Sequence, residues 1–168
     1  MLKRHTADAE NQRFDAVVIG GGITGAAVAY EAASRGLSVA LFEKGDFSQA
    51  TSAASSKLIH GGLRYLSNLE YGLVRESLRE RRILENLAPN FVYPLPMLFP
   101  HYRSSLKSNK WAVKLGLFTY DLLAYDRART WDAGKRIPSH RSLSAAAAVE
   151  AQPVLKKAGL TGAAIFHD

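Results

Sequence analysis

Apolar and polar positions alternate along the chain in patterns that predict most of its elements. Phe14 to Ile19 is a short apolar run rich in β-branched residues, as a buried parallel strand requires. A glycine-rich turn follows, then a helix from about Ile23 to Arg35, with Gly36 placed as its C-cap glycine. Leu37 to Phe42 reads as a second strand, and Glu43 stands at its end. Glu70 to Ala88 reads as a helix, with Leu73, Val74, Leu78, Leu84 and Leu87 near one face. Arg75, Glu76, Arg79, Glu80, Arg81, Arg82 and Glu85 occupy the rest, which reads as a solvated face, and Arg81 and Glu85 stand at i,i+4 spacing. Pro89 ends the helix.

Beyond Phe91 the pattern loosens. Pro94, Pro96 and Pro100 leave Met97 to Phe99 as a short strand, which proline confines to a sheet edge or a domain crossing. His101, Tyr102 and Arg103 open a basic segment that Lys107, Lys110 and Lys114 continue. Lys110 to Tyr125 reads as a helix carrying Trp111, Leu115, Phe118, Leu122 and Tyr125. An amphipathic helix usually faces a core, here that of a second domain. A basic helix with Trp and Phe can also lie on a membrane surface. Asp126 to His140 is a polar loop, Ser142 is placed to cap an Ala-rich helix over Leu143 to Glu150, Pro153 breaks that helix, and Leu160 to Phe166 reads as a strand. No internal repeat is found.

The turn after the first strand carries chemistry. Gly20, Gly22 and Gly25 give G-x-G-x-x-G. Gly20 permits the tight turn, Gly22 lets a pyrophosphate approach the backbone, and Gly25 lets the helix pack close to the sheet. The helix N-terminus offers free N–H groups and a positive dipole end to phosphates. Glu43 lies roughly 20 residues on, where an acid holds a ribose hydroxyl. That acid disfavours a 2′-phosphate, hence NADP. The alternative is a strand-turn-helix with no ligand, and this stretch alone does not choose between NAD and FAD.

Length and composition narrow the class. The 168 residues suffice for a domain with a core, and 47% of them are hydrophobic, which is globular rather than disordered. The absence of cysteine excludes disulfides, thiolate metal sites and a Cys nucleophile, and no metal site is expected. No run of about 18 apolar residues occurs. Residues 1–13 lack an apolar signal-peptide region and read as a disordered lead-in. The net charge of +7 is spread along the chain without a block of like charges or a nucleic-acid motif. It reads as a solvated basic surface with no nucleic-acid partner.

Thr51 to Leu66, TSAASSKLIHGGLRYL, is the second informative stretch. Its Thr51, Ser52, Ser55 and Ser56 hydroxyls bond nearby backbone and suit phosphate and ribitol oxygens. Gly61-Gly62 allows the backbone to lie flat against a planar ligand. The plainer alternative is a capped short helix and a turn.

VVIGGGITGAAVAYEAASRGLSVALFEKGDF followed by TSAASSKLIHGGLRYL resembles the N-terminal part of FAD-dependent glycerol-3-phosphate dehydrogenases, and SSKLIHGGLRYL is the more specific of the two stretches. YGLVRESLRERRILENLAP, PLPMLFP and KLGLFTYDLL follow in the expected order. The resemblance covers about residues 14 to 168 and is weakest from Asp126 to Leu160. It implies a flavoprotein of the D-amino-acid-oxidase-like class, with a Rossmann-like α/β FAD-binding domain and an interleaved substrate domain. The expected divisions are a lead-in over 1–13, the first half of the FAD-binding fold over 14–90, and the start of the substrate domain over 91–168. The implied reaction oxidises sn-glycerol 3-phosphate to dihydroxyacetone phosphate, with hydride passing to FAD and electrons to a quinone or another acceptor. The implied location is cytoplasmic, peripheral on the inner face of the cytoplasmic membrane.

The implied cofactor-binding residues begin with Gly20, Gly21, Gly22, Ile23, Thr24 and Gly25 around the pyrophosphate, and Glu43 with Lys44 at the adenosine. Thr51, Ser52, Ser55, Ser56, Lys57 and Leu58 line the FAD, and His60, Gly61 and Gly62 stand nearest its ring system. Arg64 and Tyr65 are the implied lining of the substrate pocket, and His60, Arg64 and Tyr65 the candidate catalytic residues. Histidine titrates near neutral pH, so His60 suits a base or a flavin hydrogen-bond partner, while a structural histidine is the alternative. Members of the family are several times longer. A fragment that is inactive and binds FAD poorly is therefore expected. The competing functions are another FAD-dependent amine or hydroxy-acid oxidase, against which SSKLIHGGLRYL argues, and an inactive remnant of the FAD fold.

Overall fold

A computed structural model describes residues 9–103 and 109–168. The first eight positions of the expected lead-in, and Lys107 of the basic segment, lie outside the described residues. The chain forms two compact units that divide between Leu58 and Ile59.

The first unit holds β1 (Ala16–Ile19), α1 (Ile23–Ser34) and β2 (Val39–Phe42). β1 and β2 pair in parallel, from Ala16 opposite Val39 to Ile19 opposite Phe42. Parallel neighbours need a crossover, and the alanine-rich α1 supplies it. Gly36, at φ +84°, closes α1, and the N–H groups of Gly36 and Leu37 return to the Ala33 and Ala32 carbonyls at 3.0 and 3.2 Å. Both strands begin two residues later than the pattern predicts. The Asp15 carboxylate accepts the Ser38 N–H and hydroxyl at 2.8 and 2.7 Å and clamps the two strand entries together. Ala40 is the one buried apolar side chain among the described residues of this unit, and Ile19 is 88% exposed.

The second unit contains a 3₁₀ turn (Leu63–Asn68), α2 (Tyr71–Leu87), β3 (Pro96–Tyr102), α3 (Lys110–Leu123), a 3₁₀ turn (Ala133–Lys135), β4 (Arg141–Leu143), α4 (Ala145–Ala151) and β5 (Leu160–His167). The sheet order is β3-β5-β4, antiparallel throughout. Pro96 and Pro100 therefore sit on an edge strand, where a missing N–H breaks no ladder. β3 runs past Phe99 because β5 supplies partners as far as Tyr102, with an irregularity between His101 and Tyr102. Val74 and Leu78 of α2, Leu117 and Tyr120 of α3, Ala124 just past α3, and Ala164 and Phe166 of β5 form the core.

Three sequence expectations need correction in this unit. The charged face of α2 is not all solvated: Arg81 and Glu85 are each 3% exposed and share the buried stripe with Val74 and Leu78. Leu73 and Leu87 are exposed instead. Asp168 makes this burial possible by pairing with the Arg81 guanidinium. Trp111, Leu115, Phe118, Leu122 and Tyr125 do not form the core-facing side of α3; all five are exposed. The packed face is Val113, Leu117, Tyr120 and Ala124. Ser144, not Ser142, caps α4 by accepting the Ala147 N–H at 3.2 Å, because Ser142 is committed to β4 opposite Ala164.

Candidate cofactor site

The glycine turn forms at the end of β1. Gly20 adopts φ +107° and its N–H donates to the Phe42 carbonyl at 2.7 Å, which joins the turn to β2. A Cβ built on Gly25 would overlap the Gly20 carbonyl, so α1 can start this close to the turn only without a side chain there. Gly22 is the N-cap of α1 and has no side chain to satisfy the first N–H groups. The Ser52 hydroxyl accepts the Ile23 N–H at 2.9 Å. A neutral hydroxyl thus stands at the positive end of α1, where an anion would be stabilised more.

Glu43 completes this half. Its two oxygens accept the Gly21 and Gly45 N–H groups at 2.7 and 2.8 Å. Those bonds, Gly45 first and then Gly21, hold its carboxyl below the usual range. Each carboxylate oxygen keeps acceptor capacity after one bond, so Glu43 can brace the turn and still accept ribose hydroxyls. Phe47 was not legible as a site residue: its ring covers Gly21 so closely that a Cβ there would overlap it. Its one sequence mark is an aromatic in a polar loop.

Along the following loop, the Ser55 hydroxyl donates to the Ser52 carbonyl at 3.1 Å and accepts the Lys57 N–H at 3.2 Å. Lys57 takes φ +57°, a conformation that such local bonds help to hold. Thr24, Lys44, Thr51, Ser55, Ser56, Lys57 and Leu58 are exposed. The first unit thus brings together Gly21, Gly22, Ile23, Glu43 and Ser52 of the expected set.

In the second unit, His60 and Arg64 are exposed while Gly61 and Gly62 are buried. Gly62 adopts φ +75° at the start of the 3₁₀ turn, and a Cβ there would lie 2.7 Å from the Tyr65 ring. A Cβ on Gly61 would overlap the Tyr120 hydroxyl and Leu78. Sequence reading assigned these glycines to a planar ligand; within this unit they also let the chain seat against its own core. The His60 and Tyr65 ring centroids are 6.4 Å apart, and Arg64 Nη2 donates to the Tyr65 hydroxyl at 3.2 Å. Asp168, Tyr120 and Arg81 are further residues that sequence reading did not connect with this turn. Asp168 Oδ1 accepts the Gly61 N–H and the Tyr120 hydroxyl, each at 2.7 Å, and the Arg81 guanidinium.

A β-α-β unit with this turn and terminal acid defines a dinucleotide-binding protein. The profile of the family described as FAD dependent oxidoreductase matches residues 15–168, and the chain belongs to that family. It is 42% identical over 165 residues to a glycerol-3-phosphate dehydrogenase of Synechocystis sp., covering 98% of this chain and 28% of the relative. It is 46% identical over 147 residues to a D-erythritol 1-phosphate dehydrogenase of Brucella abortus, covering 88% and 27%. Among solved structures, the glycerol-3-phosphate dehydrogenase of Bacillus halodurans complexed with FAD aligns with a TM-score of 0.58 at 26% identity, over 96% of this chain and 22% of that one. The chain therefore spans about a quarter of the length of these relatives.

The first unit fits the adenosine diphosphate part of FAD. The N-terminus of α1, which Gly25 lets start close to the turn and Ser52 caps, would hold its phosphates, and Glu43 would hold its ribose, in the order such a nucleotide needs.

Proposed function

We propose that the protein oxidises sn-glycerol 3-phosphate to dihydroxyacetone phosphate, with electrons leaving through FAD to a quinone. The observation that carries the substrate is the identity of 42% across 98% of the chain with a relative named glycerol-3-phosphate dehydrogenase. Bound FAD supplies the acceptor for the hydride that leaves the carbinol carbon. The chain's own residues have the remaining tasks. Gly20 to Gly25, Glu43 and Ser52 hold the nucleotide. His60, exposed at the start of the H-G-G turn, takes the hydroxyl proton. Arg64, exposed and steered by its bond to Tyr65, attracts the substrate phosphate.

D-Erythritol 1-phosphate is a second substrate reading, favoured by the Brucella relative. Both substrates are polyol phosphates, so the same cation and base would serve either. Anaerobic bleaching of bound flavin decides between them. Bleaching by glycerol 3-phosphate at far lower concentration than by D-erythritol 1-phosphate or glycine supports the first reading. Bleaching by glycine alone would overturn both.

The proposed location is the inner face of the cytoplasmic membrane. No helix among the described residues is long and apolar enough to cross a membrane. The support is the exposed stripe of Trp111, Leu115, Phe118 and Leu122 beside Lys110 and Lys114 on α3, a pattern suited to anionic lipid. Sedimentation with anionic vesicles, abolished by Trp111→Glu with Phe118→Glu, is the expected result. Sedimentation that ignores both changes would remove α3 from this role.

A further inference from the structure

The Asp168 carboxylate has more work in this fold than a buried ion pair requires. Its backbone is tied to the residue before β3, since Asp168 N–H donates to the Leu95 carbonyl at 3.1 Å and Leu95 N–H to the Asp168 carbonyl at 2.8 Å. Its side chain is 6% exposed. One oxygen takes donors from three places: the Gly61 N–H, the Tyr120 hydroxyl of α3 and the Arg81 guanidinium of α2. Tyr120 is held from its other side by the Phe166 ring, edge-on at 6.3 Å. Burial, then the Asp168 charge, pushes the Tyr120 phenol far up, so it remains a donor at any working pH.

Gly61 is the outlying member of this set. α2, α3 and β5 already meet through Val74, Leu78, Leu117 and Phe166. A buried ion pair by itself adds little net stability over well-packed apolar groups. The Gly61 N–H is instead a loop amide, brought in by a backbone that no side chain could join without overlapping Tyr120. Either side of this buried point the chain emerges, with His60 before it and Arg64 after it exposed.

We propose that Asp168 is a positioning residue: by fixing the Gly61 N–H to the junction of α2, α3 and β5, it sets where His60 and Arg64 stand. The inference rests on the function proposed for those two residues, but the placement of the turn can be tested without it. Asp168 reaches no reacting atom; it acts through the turn.

The test uses the protein as its gene encodes it, with Asp168→Ala, Asp168→Asn and Asp126→Ala compared. Asp126 pairs with Arg75 and Arg82 in the same unit and serves as a control for lost stability alone. Amide exchange over residues 58–66 is expected to rise at least about tenfold in Asp168→Ala, and not in Asp126→Ala. Asp168→Asn keeps an oxygen for the Gly61 N–H and restores most of the protection. It also serves if Asp168→Ala does not fold. In the flavin-loaded protein, Asp168→Ala changes the visible circular dichroism of the flavin and lowers kcat by about 10- to 100-fold, with KM moving less. Unchanged exchange at 58–66, or an equal rise in Asp126→Ala, overturns the positioning role whatever the substrate proves to be. Raised exchange with unchanged flavin spectrum and kcat would leave the anchor in place but overturn its influence on His60 and Arg64. Absence of any flavin reduction in the wild-type protein would count against the proposed function alone.

Discussion

The two glycine turns of this protein are built by opposite routes. The Gly20–Gly25 turn takes its outside partners from close by in the sequence: Glu43 and Ser52 reach it across 22 and 29 positions. It sits in a unit whose described residues include one buried apolar side chain, Ala40. The Gly61-Gly62 turn is buried and held by a bond that spans 107 positions. A turn of the first kind needs only a strand, a helix and an acid in the right order. The second exists only once the helices and the last strand of its unit have met. Exposure and function are therefore decoupled: the less buried turn carries the more recognisable chemistry.

The hardest way to break the first turn is Gly25→Val. The new side chain must displace either the Gly20 carbonyl or α1, at a cost of about 1–3 kcal/mol or more. The flavin content of the purified protein, read from its visible absorbance, is expected to fall below about a tenth of wild type, because the N–H groups of α1 are moved away from the phosphates. Full flavin content would mean that close approach of helix and turn is not what Gly25 provides. Gly61→Ala tests the second turn, with a smaller cofactor effect and a clearer stability effect. Overlap with Tyr120 and Leu78 is expected to cost about 1–3 kcal/mol, lowering Tm. A Tm equal to wild type would show that this turn can leave its seat.

That contrast explains what was legible in the sequence. The β1-turn-α1-β2 segment could be read nearly residue by residue, because most contacts that define it lie within one local motif; Ser52 and Phe47 reach it from the loop beyond. Glu43 was found by its spacing alone. The core of the second unit was harder to read. α3 carries two apolar stripes with the same i, i+4, i+7, i+11 spacing: Trp111, Leu115, Phe118, Leu122 and Val113, Leu117, Tyr120, Ala124. Periodicity cannot say which of two equal faces packs, and the choice is made by Ala164 and Phe166 on a strand some forty residues later. Arg81 and Glu85 looked solvated because their type favours water. Their burial depends on Asp168, whose place in space no local pattern encodes. Ser144 displaced Ser142 as a cap for the same reason, since β4 exists only as a partner of β5.

A milder way to sharpen the comparison is Asp126→Asn, which removes a charge from the better-packed unit. Asp126 accepts both guanidinium nitrogens of Arg75 at 2.8 and 2.7 Å, and Arg82 Nε lies 3.2 Å away. These partners, Arg75 first, hold its carboxyl below the ordinary range. The folded value is thus depressed relative to about 3.9 in the unfolded chain. The stabilisation is present above that value and is lost as pH falls through the folded one. Asn keeps an acceptor but not the charge, so a loss of about 1–2 kcal/mol at pH 7 is expected, discounted because both arginines are partly exposed. Denaturant melts of the two proteins should differ by a constant amount from pH 5 to 8 and converge below pH 4. A gap that widens in acid would show that the charge is not what Asp126 contributes.

The smallest effect is expected from Glu31→Ala, in the sparsely packed unit. Glu31 forms an i,i+4 bond with Arg35 through Nε at 2.8 Å, which on geometry alone rivals the Asp126 pair. The side chains are 59% and 72% exposed, so water and salt screen the attraction, and ordering two long chains offsets what remains. The orientation is the favourable one, acid before base along the helix, but such pairs contribute only about 0.3–0.5 kcal/mol. Melting at low salt should therefore move by less than about 0.5 kcal/mol, and at 1 M salt the difference should vanish. A larger or salt-independent loss would mean that this part of α1 is covered in the protein rather than open to water. The first turn would then rest on packing as much as the second does.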